Sequence, residues 1–204
     1  MSDDYHDYVI KEGKLVGRFE EMYQLCENPW PETEDDLDAN PVSLRTAQLV
    51  NAEGRRNIFS LGCGKGLHLN WLAKRCPGVT VSGCDVSATA VQYCRERHPW
   101  IAARQMDVRE FCDQRFEFDL LLLREIVWYI LSDWDYLCRA LAEKYRGRHV
   151  AVELSFYDRQ SYGKGYFNGP SMFINKFPFK IKEILRHHCT RRQREGMLLV
   201  YGQI

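Results

Sequence analysis

The chain has 204 residues, of which 45% are hydrophobic and 13% aromatic, and its 28 basic residues balance 28 acidic ones. This length predicts one domain, and the apolar content is sufficient for a full core, which argues against disorder. A formal net charge of zero provides no general attraction to nucleic acid or to an anionic membrane. No stretch approaches eighteen consecutive apolar residues, and the N-terminus lacks the apolar core of a signal peptide.

Eight cysteines are scattered along the chain without any C-x-x-C pair, and several fall inside predicted strands or helices. Free buried thiols have this distribution. We therefore expect a reduced, cytoplasmic protein without a zinc site, and no other cluster of metal ligands is visible.

The N-terminal region combines aromatic and charged side chains. Helices are predicted over residues 17–26 and 41–52, and the sequence N-P-W-P at 28–31 separates them because proline breaks a helix. Residues 32–38 are strongly acidic and are predicted to form a solvated loop.

An apolar run over residues 58–61 leads directly into Gly62, Gly64 and Gly66. The run predicts a buried parallel strand, because such strands are covered on both faces and show no alternation. A helix is predicted next, over 67–76. Glycine permits positive φ and a close approach of a ligand to the backbone, so the segment predicts a nucleoside pocket at the edge of an α/β sheet. An ordinary tight turn is the alternative for the glycines alone.

Strand and helix signals alternate after the glycines, which predicts a parallel sheet. The strand over 79–84 ends at Asp85, and a helix is predicted from Ser87 to His98. In nucleoside-binding α/β folds, an acid about twenty residues beyond the glycines accepts hydrogen bonds from both ribose hydroxyls. The alternative is that Asp85 only begins the turn before the helix.

The rest of the chain continues the alternation. Three further strands are predicted over 101–106, 118–123 and 149–154, with a helical turn over 108–112 and a helix over 132–145. The last part is predicted as a long aromatic loop over 156–178, a helix over 179–188, and a hairpin of 190–195 and 197–203 about Gly196. Basic residues between Lys180 and Arg194 attract an anionic substrate in one interpretation and form a solvated hairpin face in the other.

Three segments carry a resemblance to a known family. S-L-G-C-G-K-G at 60–66 resembles the first motif of the class I S-adenosylmethionine-dependent methyltransferases, an apolar strand ending in Asp/Glu-x-G-x-G-x-G. S-G-C-D-V-S-A-T-A-V at 82–91 is similar to the second motif, and F-D-L-L-L-L-R-E-I-V-W-Y-I-L at 118–131 to the fourth. The resemblance covers about residues 56–204. It departs from the family at Ser60, where the family has an acid that helps to hold the methionine end of the cofactor.

The resemblance implies an α/β fold with a Rossmann-like, seven-stranded, mostly parallel sheet, a C-terminal antiparallel hairpin and an N-terminal helical extension. It implies one methyltransferase domain over 1–204, with 55–204 as the core. Residues 1–54 are then a lid over the cofactor and substrate, or else a helical extension packed on the sheet with Trp30 in the core. S-adenosylmethionine is the implied cofactor and S-adenosylhomocysteine the product. The implied cofactor-binding residues are Gly62, Cys63, Gly64, Gly66, Asp85, Val86, Asp107, Val108, Arg124 and Trp30.

The resemblance also implies specific roles for the residues near adenine and for the candidate catalytic residues. Asp107 would accept from the exocyclic amine of adenine while the amide of Val108 meets a ring nitrogen, although Asp107 also suits a helix N-cap. The candidate catalytic residues are Glu125, Tyr129 and His68, with Glu125 preferred as the base. A capping or salt-bridging Glu125 and a helix-surface His68 are the alternatives.

The resemblance implies methyl transfer by direct displacement to a small polar acceptor. The aromatic loop and the basic residues suggest an acceptor that is sugar-like or anionic, such as a sugar or glycan precursor. The Pro-Trp followed by acidic residues at 29–36 also resembles the nodulation protein S-like branch, which methylates an amino sugar. A nicotinamide-dependent oxidoreductase and a cofactor-binding but inactive partner subunit are the alternatives. Neither a nucleic-acid nor a membrane partner is expected, and nothing in the sequence indicates an oligomeric state.

Overall fold

The computed structural model describes residues 7–157, 161–188 and 194–204. The strands are β1 (Ile10–Lys11), β2 (Lys14–Leu15), β3 (Asn57–Leu61), β4 (Thr80–Asp85), β5 (Ala102–Gln105), β6 (Leu120–Arg124), β7 (His149–Tyr157), β8 (Lys180–His187) and β9 (Arg194–Gln203). The α-helices are α1 (Phe19–Leu25), α2 (Glu34–Asp38), α3 (Pro41–Ala52), α4 (Leu67–Arg75), α5 (Ala88–Arg97), α6 (Val108–Asp113), α7 (Trp134–Lys144) and α8 (Pro170–Lys176). Two 3-10 turns, Val127–Tyr129 and Leu131–Asp133, lie between β6 and α7.

The main sheet has seven strands in the spatial order β5-β4-β3-β6-β7-β9-β8. The five strands from β5 to β7 run parallel, whereas β9 runs antiparallel to both β7 and β8. This arrangement confirms the predicted Rossmann-like, mostly parallel sheet with an antiparallel C-terminal pair. In such a sheet, ligands bind beyond the carboxyl ends of the parallel strands.

Strand β6 shows why the sheet is buried on both faces. Its four leucines, Leu120 to Leu123, are each at most 1% exposed. Leu121 and Leu123 pack into a core with α6 and α7, while Leu120 and Leu122 pack into a second core with α3, α4 and α5. Successive side chains of a strand point to opposite faces, so an unbroken apolar run is what a doubly covered strand requires.

The prediction for the C-terminal region was wrong in two places. Residues 180–187 form an edge strand, not a helix, and their burial alternates residue by residue. This period of two is diluted in the sequence by basic residues on the exposed face, a common way to protect an edge. Strand β9 runs through Gly196 without a turn, so β8 and β9 themselves form the hairpin. Residues 190–193 of the predicted hairpin lie outside the described residues.

The acidic segment before α3 is also not the predicted loop. Residues 34–38 form helix α2, which begins with a capping box in which Thr33 and Asp36 bond each other's backbone amide. Glu34 pairs with Lys74 and Asp38 with Arg75, both on α4. The acidic residues therefore attach the N-terminal region to the helix that follows the glycines.

The aromatic segment over 156–178 is largely part of the core. Its phenylalanines Phe167, Phe173 and Phe177 are buried and pack against one another, and α8 lies within the predicted loop. Tyr166 is the exception, with 47% of its surface exposed. The expectation that these rings face a substrate was therefore wrong for the phenylalanines.

Several expected absences concern only the part of the chain that the structure describes. There, seven cysteines carry free thiols, and no three His, Cys, Asp or Glu side chains are grouped to hold a metal ion. The eighth cysteine, Cys189, lies outside that part. None of the described helices is long and apolar enough to cross a membrane.

The buried imidazole of His149 predicts a specific pH dependence of stability. His149 stacks on Tyr201 and accepts from Arg55, and burial with the Arg55 charge lowers its pKa to about 4. The unfolded chain binds this proton near pH 6.5, so the native state loses roughly 2–4 kcal/mol as the pH falls from about 6.5 to 4. Urea unfolding should show a shallower pH slope for His149→Gln, and equal slopes would contradict this origin.

Candidate active site

The glycine segment forms a tight loop between β3 and α4. Gly62, Gly64 and Gly66 all have positive φ, at 75°, 54° and 83°. The amides of Gly62 and Cys63 both donate to the carbonyl of Cys84 at 2.8 Å, which ties the loop to the end of β4. A Cβ on Gly64 would lie 2.9 Å from the Tyr23 hydroxyl, so this position also lies directly below the N-terminal region.

Asp85 lies against this loop at the carboxyl end of β4. Its Oδ2 accepts from the Gly64 amide at 2.8 Å and its Oδ1 from the Ser87 amide at 3.0 Å. Burial raises the pKa of Asp85, and the hydrogen bonds from these two amides oppose that rise. Each carboxylate oxygen has two lone pairs, so the group can still accept two hydroxyl donors. The structure thus brings Asp85 and the glycines together, as the ribose hypothesis requires.

The positions expected for the adenine ring follow at the next strand ends. Val86 is 46% exposed although it is apolar, and Gln105 at the end of β5 donates to its carbonyl. Asp107 caps α6, because its Oδ1 accepts from the amides of Arg109 and Glu110 at 2.8 Å each. The N-cap alternative for Asp107 is therefore correct, and the cap leaves its Oδ2 without a hydrogen bond among the described residues.

Helix α1 covers the loop and the start of α5. Glu20 accepts from the hydroxyls of Ser87 and Thr89 and from the Thr89 amide, and these bonds lower its pKa to about 2. Tyr23 accepts from the Trp30 indole at 2.9 Å and is buried over Gly64. The N-terminal region is thus fastened to the residues that flank Asp85.

Lys65 of the glycine loop provides a further attachment. Its ammonium donates to the carbonyl of Glu27 and lies over the rings of Tyr23 and Tyr93. The loop therefore holds the N-terminal region through its side chains as well as its backbone.

A buried ion cluster lies at the carboxyl ends of β6 and β7. Nη2 of Arg124 is 2.6 Å from Oε1 of Glu32, and Nε of Arg124 is 3.1 Å from Oε2 of Glu153. Glu153 is fully buried and also accepts from the hydroxyls of Ser43 and Thr46 on α3. Arg124 therefore joins the sheet to the segment that precedes α2.

Glu125, the preferred base, is held by Ser155. Its two carboxylate oxygens accept from the amide and the hydroxyl of Ser155, at 3.0 and 2.5 Å. Its φ of 55° is unusual for a residue with a side chain, and strain of this kind is concentrated at functional sites. The strand end thus fixes the direction of this carboxylate.

The other two candidate bases differ in position. Tyr129 packs between Phe19 and Trp30, with ring centroids 5.3 and 6.1 Å away, so it lies beneath the N-terminal region. His68 is buried, which excludes the helix-surface alternative, and its Nε2 is 3.9 Å from Glu153. Burial and the Arg124 charge lower the pKa of His68.

Sequence reasoning missed several residues that enclose this region, namely Glu20, Tyr23, Glu32, Glu153 and Ser155. The last two end the predicted fifth strand, so the rule that ligands bind at carboxyl strand ends could have identified them. The first three belong to the N-terminal region, and their contacts depend on how that region folds back. No local pattern encodes such contacts.

Comparisons with known proteins agree with this geometry. Residues 58–147 match the family model described as "Methyltransferase domain". A ubiquinone biosynthesis O-methyltransferase of Alkalilimnicola ehrlichii is 31% identical over 56% of this chain and 48% of its own length. A trans-aconitate 2-methyltransferase of Paracidovorax citrulli is 31% identical over 48% of this chain and 38% of its own.

Solved structures extend the likeness in fold. The N-methyltransferase NodS of Bradyrhizobium japonicum, in complex with S-adenosylhomocysteine, superposes with a TM-score of 0.64 at 17% identity, covering 91% of this chain and 96% of that one. Residues 58–147 are therefore similar in sequence to methyltransferase domains, and the chain shares the fold of a methyltransferase that was solved with S-adenosylhomocysteine. The chain spans about half the length, or less, of the curated relatives named above.

Proposed function

We propose that this protein transfers the methyl group of S-adenosylmethionine to a small polar acceptor, with a sugar or glycan precursor as the acceptor class. The observation that supports this most is the contact of Asp85 with Gly64 at the carboxyl edge of the parallel sheet. A carboxylate beside a glycine loop with positive φ suits a ribose placed against a backbone that carries no side chains.

The described residues fit the cofactor. Gly64 has no side chain at the point of closest approach, Asp85 has free lone pairs, and Val86 offers an exposed apolar surface for a purine ring. Asp107 and Val108 would meet the edge of that ring. Bound S-adenosylmethionine supplies a methyl group on a sulfonium centre with a neutral leaving group, so the protein has mainly to align the acceptor and exclude water.

The N-terminal region, residues 1–54, is proposed as the lid over this site, and residues 55–204 as the core. Glu20, Tyr23 and Glu32 attach it to α5, to the glycine loop and to Arg124. Helices α2 and α3 of this region are packed into the second core, so only the part before α2, whose apolar cluster is small, can separate from the rest at a smaller cost than a packed core element. Such a lid would exclude water during transfer.

The acceptor class rests on two kinds of support. The curated relatives include methyltransferases named for ubiquinone biosynthesis and for trans-aconitate, which favours a small molecule. The Pro-Trp-acidic segment resembles a branch that methylates an amino sugar, which favours a sugar. Its residues Trp30 and Glu32 lie on the rim of the proposed site, where they can face such an acceptor.

Calorimetry and a transfer assay test the proposal together. S-adenosylhomocysteine should bind, and a labelled methyl donor should label at least one sugar, amino sugar or nucleotide sugar from a broad panel. Binding of NAD in place of S-adenosylhomocysteine would indicate the oxidoreductase instead. Cofactor binding without transfer to any member of the panel would favour the inactive partner subunit.

Glu125→Gln tests the preferred base with little change in shape. Glutamine can still accept from Ser155, so S-adenosylhomocysteine affinity and unfolding should change little. If Glu125 removes a proton from the acceptor, kcat should fall about 100-fold or more, because the amide of glutamine cannot take up that proton. Tyr129→Phe is the matched variant, and a larger loss there would assign the base to Tyr129.

A further inference from the structure

The guanidinium of Arg124 has two anionic partners of different kinds. Glu153 lies on the Nε side, is fully buried, and is fixed by Ser43 and Thr46 as well. Glu32 lies on the Nη2 side, retains 27% of its side-chain surface, and belongs to the segment before α2. One partner is a permanent part of the sheet, whereas the other can leave.

Leaving the Nη2 side of Arg124 without an anion is energetically costly. Its side chain is only 16% exposed, so removal of Glu32 with no replacement leaves one edge of a largely buried guanidinium without a counter-ion. Exchange of one carboxylate for another avoids that cost. Glu32 is therefore best replaced by a ligand that brings a carboxylate of its own.

The edge of the guanidinium formed by Nη1 and Nη2 makes fewer hydrogen bonds than it can donate. Glu32 engages Nη2 through one oxygen, and Nη1 has no hydrogen bond among the residues the structure describes. A carboxylate can bind Nη1 and Nη2 with both oxygens, which is stronger and more directional than a single contact. A free ligand can adopt that geometry, whereas Glu32 is held by its chain.

We propose that Arg124 is the binding residue for a ligand carboxylate, and that Glu32 of the N-terminal region occupies its place until the ligand exchanges with it. The inference rests on the proposed function, because it assigns a ligand group within the same site. The carboxylate belongs either to the amino-acid end of the cofactor or to the acceptor. In both cases, its arrival breaks only the Glu32–Arg124 contact, while the contacts of Glu20 with Ser87 and of Tyr23 with the glycine loop still hold the N-terminal region over the site.

Glu32→Gln tests the exchange, because it removes the competing charge and leaves Arg124 paired with Glu153. If the cofactor provides the carboxylate, S-adenosylhomocysteine should bind about fivefold to tenfold tighter, since a neutral amide competes less well than a carboxylate. Methylthioadenosine, which lacks the amino-acid end, should bind unchanged. Glu34→Gln is the control, because Glu34 pairs with exposed Lys74 on the same segment.

Succinate distinguishes the two sources of the carboxylate. If the cofactor occupies Arg124, succinate should compete with S-adenosylhomocysteine. If the acceptor does, succinate should bind alongside S-adenosylhomocysteine, tighter to Glu32→Gln than to the native chain, while the affinity for S-adenosylhomocysteine stays unchanged. Arg124→Lys keeps the charge but loses the fork, and it should weaken whichever carboxylate binds there by about tenfold.

Two results would overturn the inference. One is that Glu32→Gln and Arg124→Lys both leave the binding of S-adenosylhomocysteine and of succinate unchanged. The other is that Glu32→Gln weakens both ligands, which would make Glu32 part of the binding site and not a competitor. Failure of methylthioadenosine to bind the native chain would instead contradict the proposed cofactor site itself.

Discussion

Replacing Asp85 by alanine should weaken the binding of S-adenosylhomocysteine by about 100-fold or more, the largest effect expected of any single change at the site. Hydrogen bonds to a charged acceptor contribute about 1.5–3 kcal/mol each, and two ribose hydroxyls would lose theirs. The Gly64 and Ser87 amides would also lose their acceptor, so the loop would lose part of its support. Titration calorimetry with the purified variant measures the loss directly.

Asp85→Asn separates the two causes. One side of an asparagine is a donor, so either Gly64 or Ser87 would face an N–H group in place of an oxygen. We expect a loss of about 10- to 100-fold, with a modest reduction in stability. Methylthioadenosine should lose as much affinity as S-adenosylhomocysteine, because both carry the ribose.

Asp119 provides a matched control at the other end of the sheet. Its Oδ2 accepts from the amides of Arg56 and Asn57, just as Asp85 accepts from two amides, and its Oδ1 pairs with Arg148. Asp119→Asn should therefore affect unfolding to a similar degree and leave cofactor affinity unchanged. Equal affinity losses in the Asp85 and Asp119 variants would mean that Asp85 acts only through general stability.

The elements of this fold that could be predicted are those encoded by short, continuous stretches of sequence. Four leucines in a row at 120–123 favour a strand that is covered on both faces, and the structure provides that cover. The glycines and Asp85 were predicted to meet because two parallel neighbours end at the same edge. Their hydrogen bond follows from that topology.

The predictions failed where the local sequence pattern was ambiguous or was misread. In β8, the half-buried residues Ile181 and Leu185 lie four apart, a spacing that a helix and a strand share, so periodicity alone could not decide. Pairing with β9 decided it, and pairing is a non-local term. Helix α2 was missed because its acidic content concealed the capping pair of Thr33 and Asp36.

The same distinction applies to the candidate site. Its floor comes from strand ends and could be listed from motifs, whereas its cover comes from residues 19–32. Glu32 reaches Arg124 across 92 positions of sequence, and Glu20 reaches Ser87 across 67. Contacts of this kind depend on the packing of the whole chain, so no window of sequence contains them.

Gly66→Ala is the second change with a large expected effect, and it acts on the loop itself. Gly66 has a φ of 83°, which costs an alanine about 1–2 kcal/mol. Its Cβ would also lie 2.5 Å from Sγ of Cys94, a fully buried thiol on α5. Overpacking of this kind adds about 1–3 kcal/mol, so urea unfolding should show a loss of roughly 2–5 kcal/mol.

Gly147→Ala isolates the backbone part of that loss. Gly147 has nearly the same φ, 85°, but nothing lies within 4 Å of a Cβ built there. Its substitution should cost only the strain. The loss of unfolding free energy in Gly66→Ala beyond that in Gly147→Ala is then the cost of the collision with Cys94. Adding Cys94→Ala removes the colliding sulfur, so the double variant should be less destabilised than the sum of the two single variants.

The effect of Gly66→Ala on cofactor affinity depends on which element moves to relieve the contact with Cys94. Cys94 is packed in the core, so the loop is the more mobile partner and should shift away from α5, taking the Gly64 amide away from Asp85. S-adenosylhomocysteine affinity should therefore fall in Gly66→Ala and recover in the double variant, while Gly147→Ala binds normally. Equal stability losses for Gly66→Ala and Gly147→Ala would show that the loop absorbs a methyl group without moving. The close packing of Gly66 on α5 would then not be what positions the glycines against Asp85.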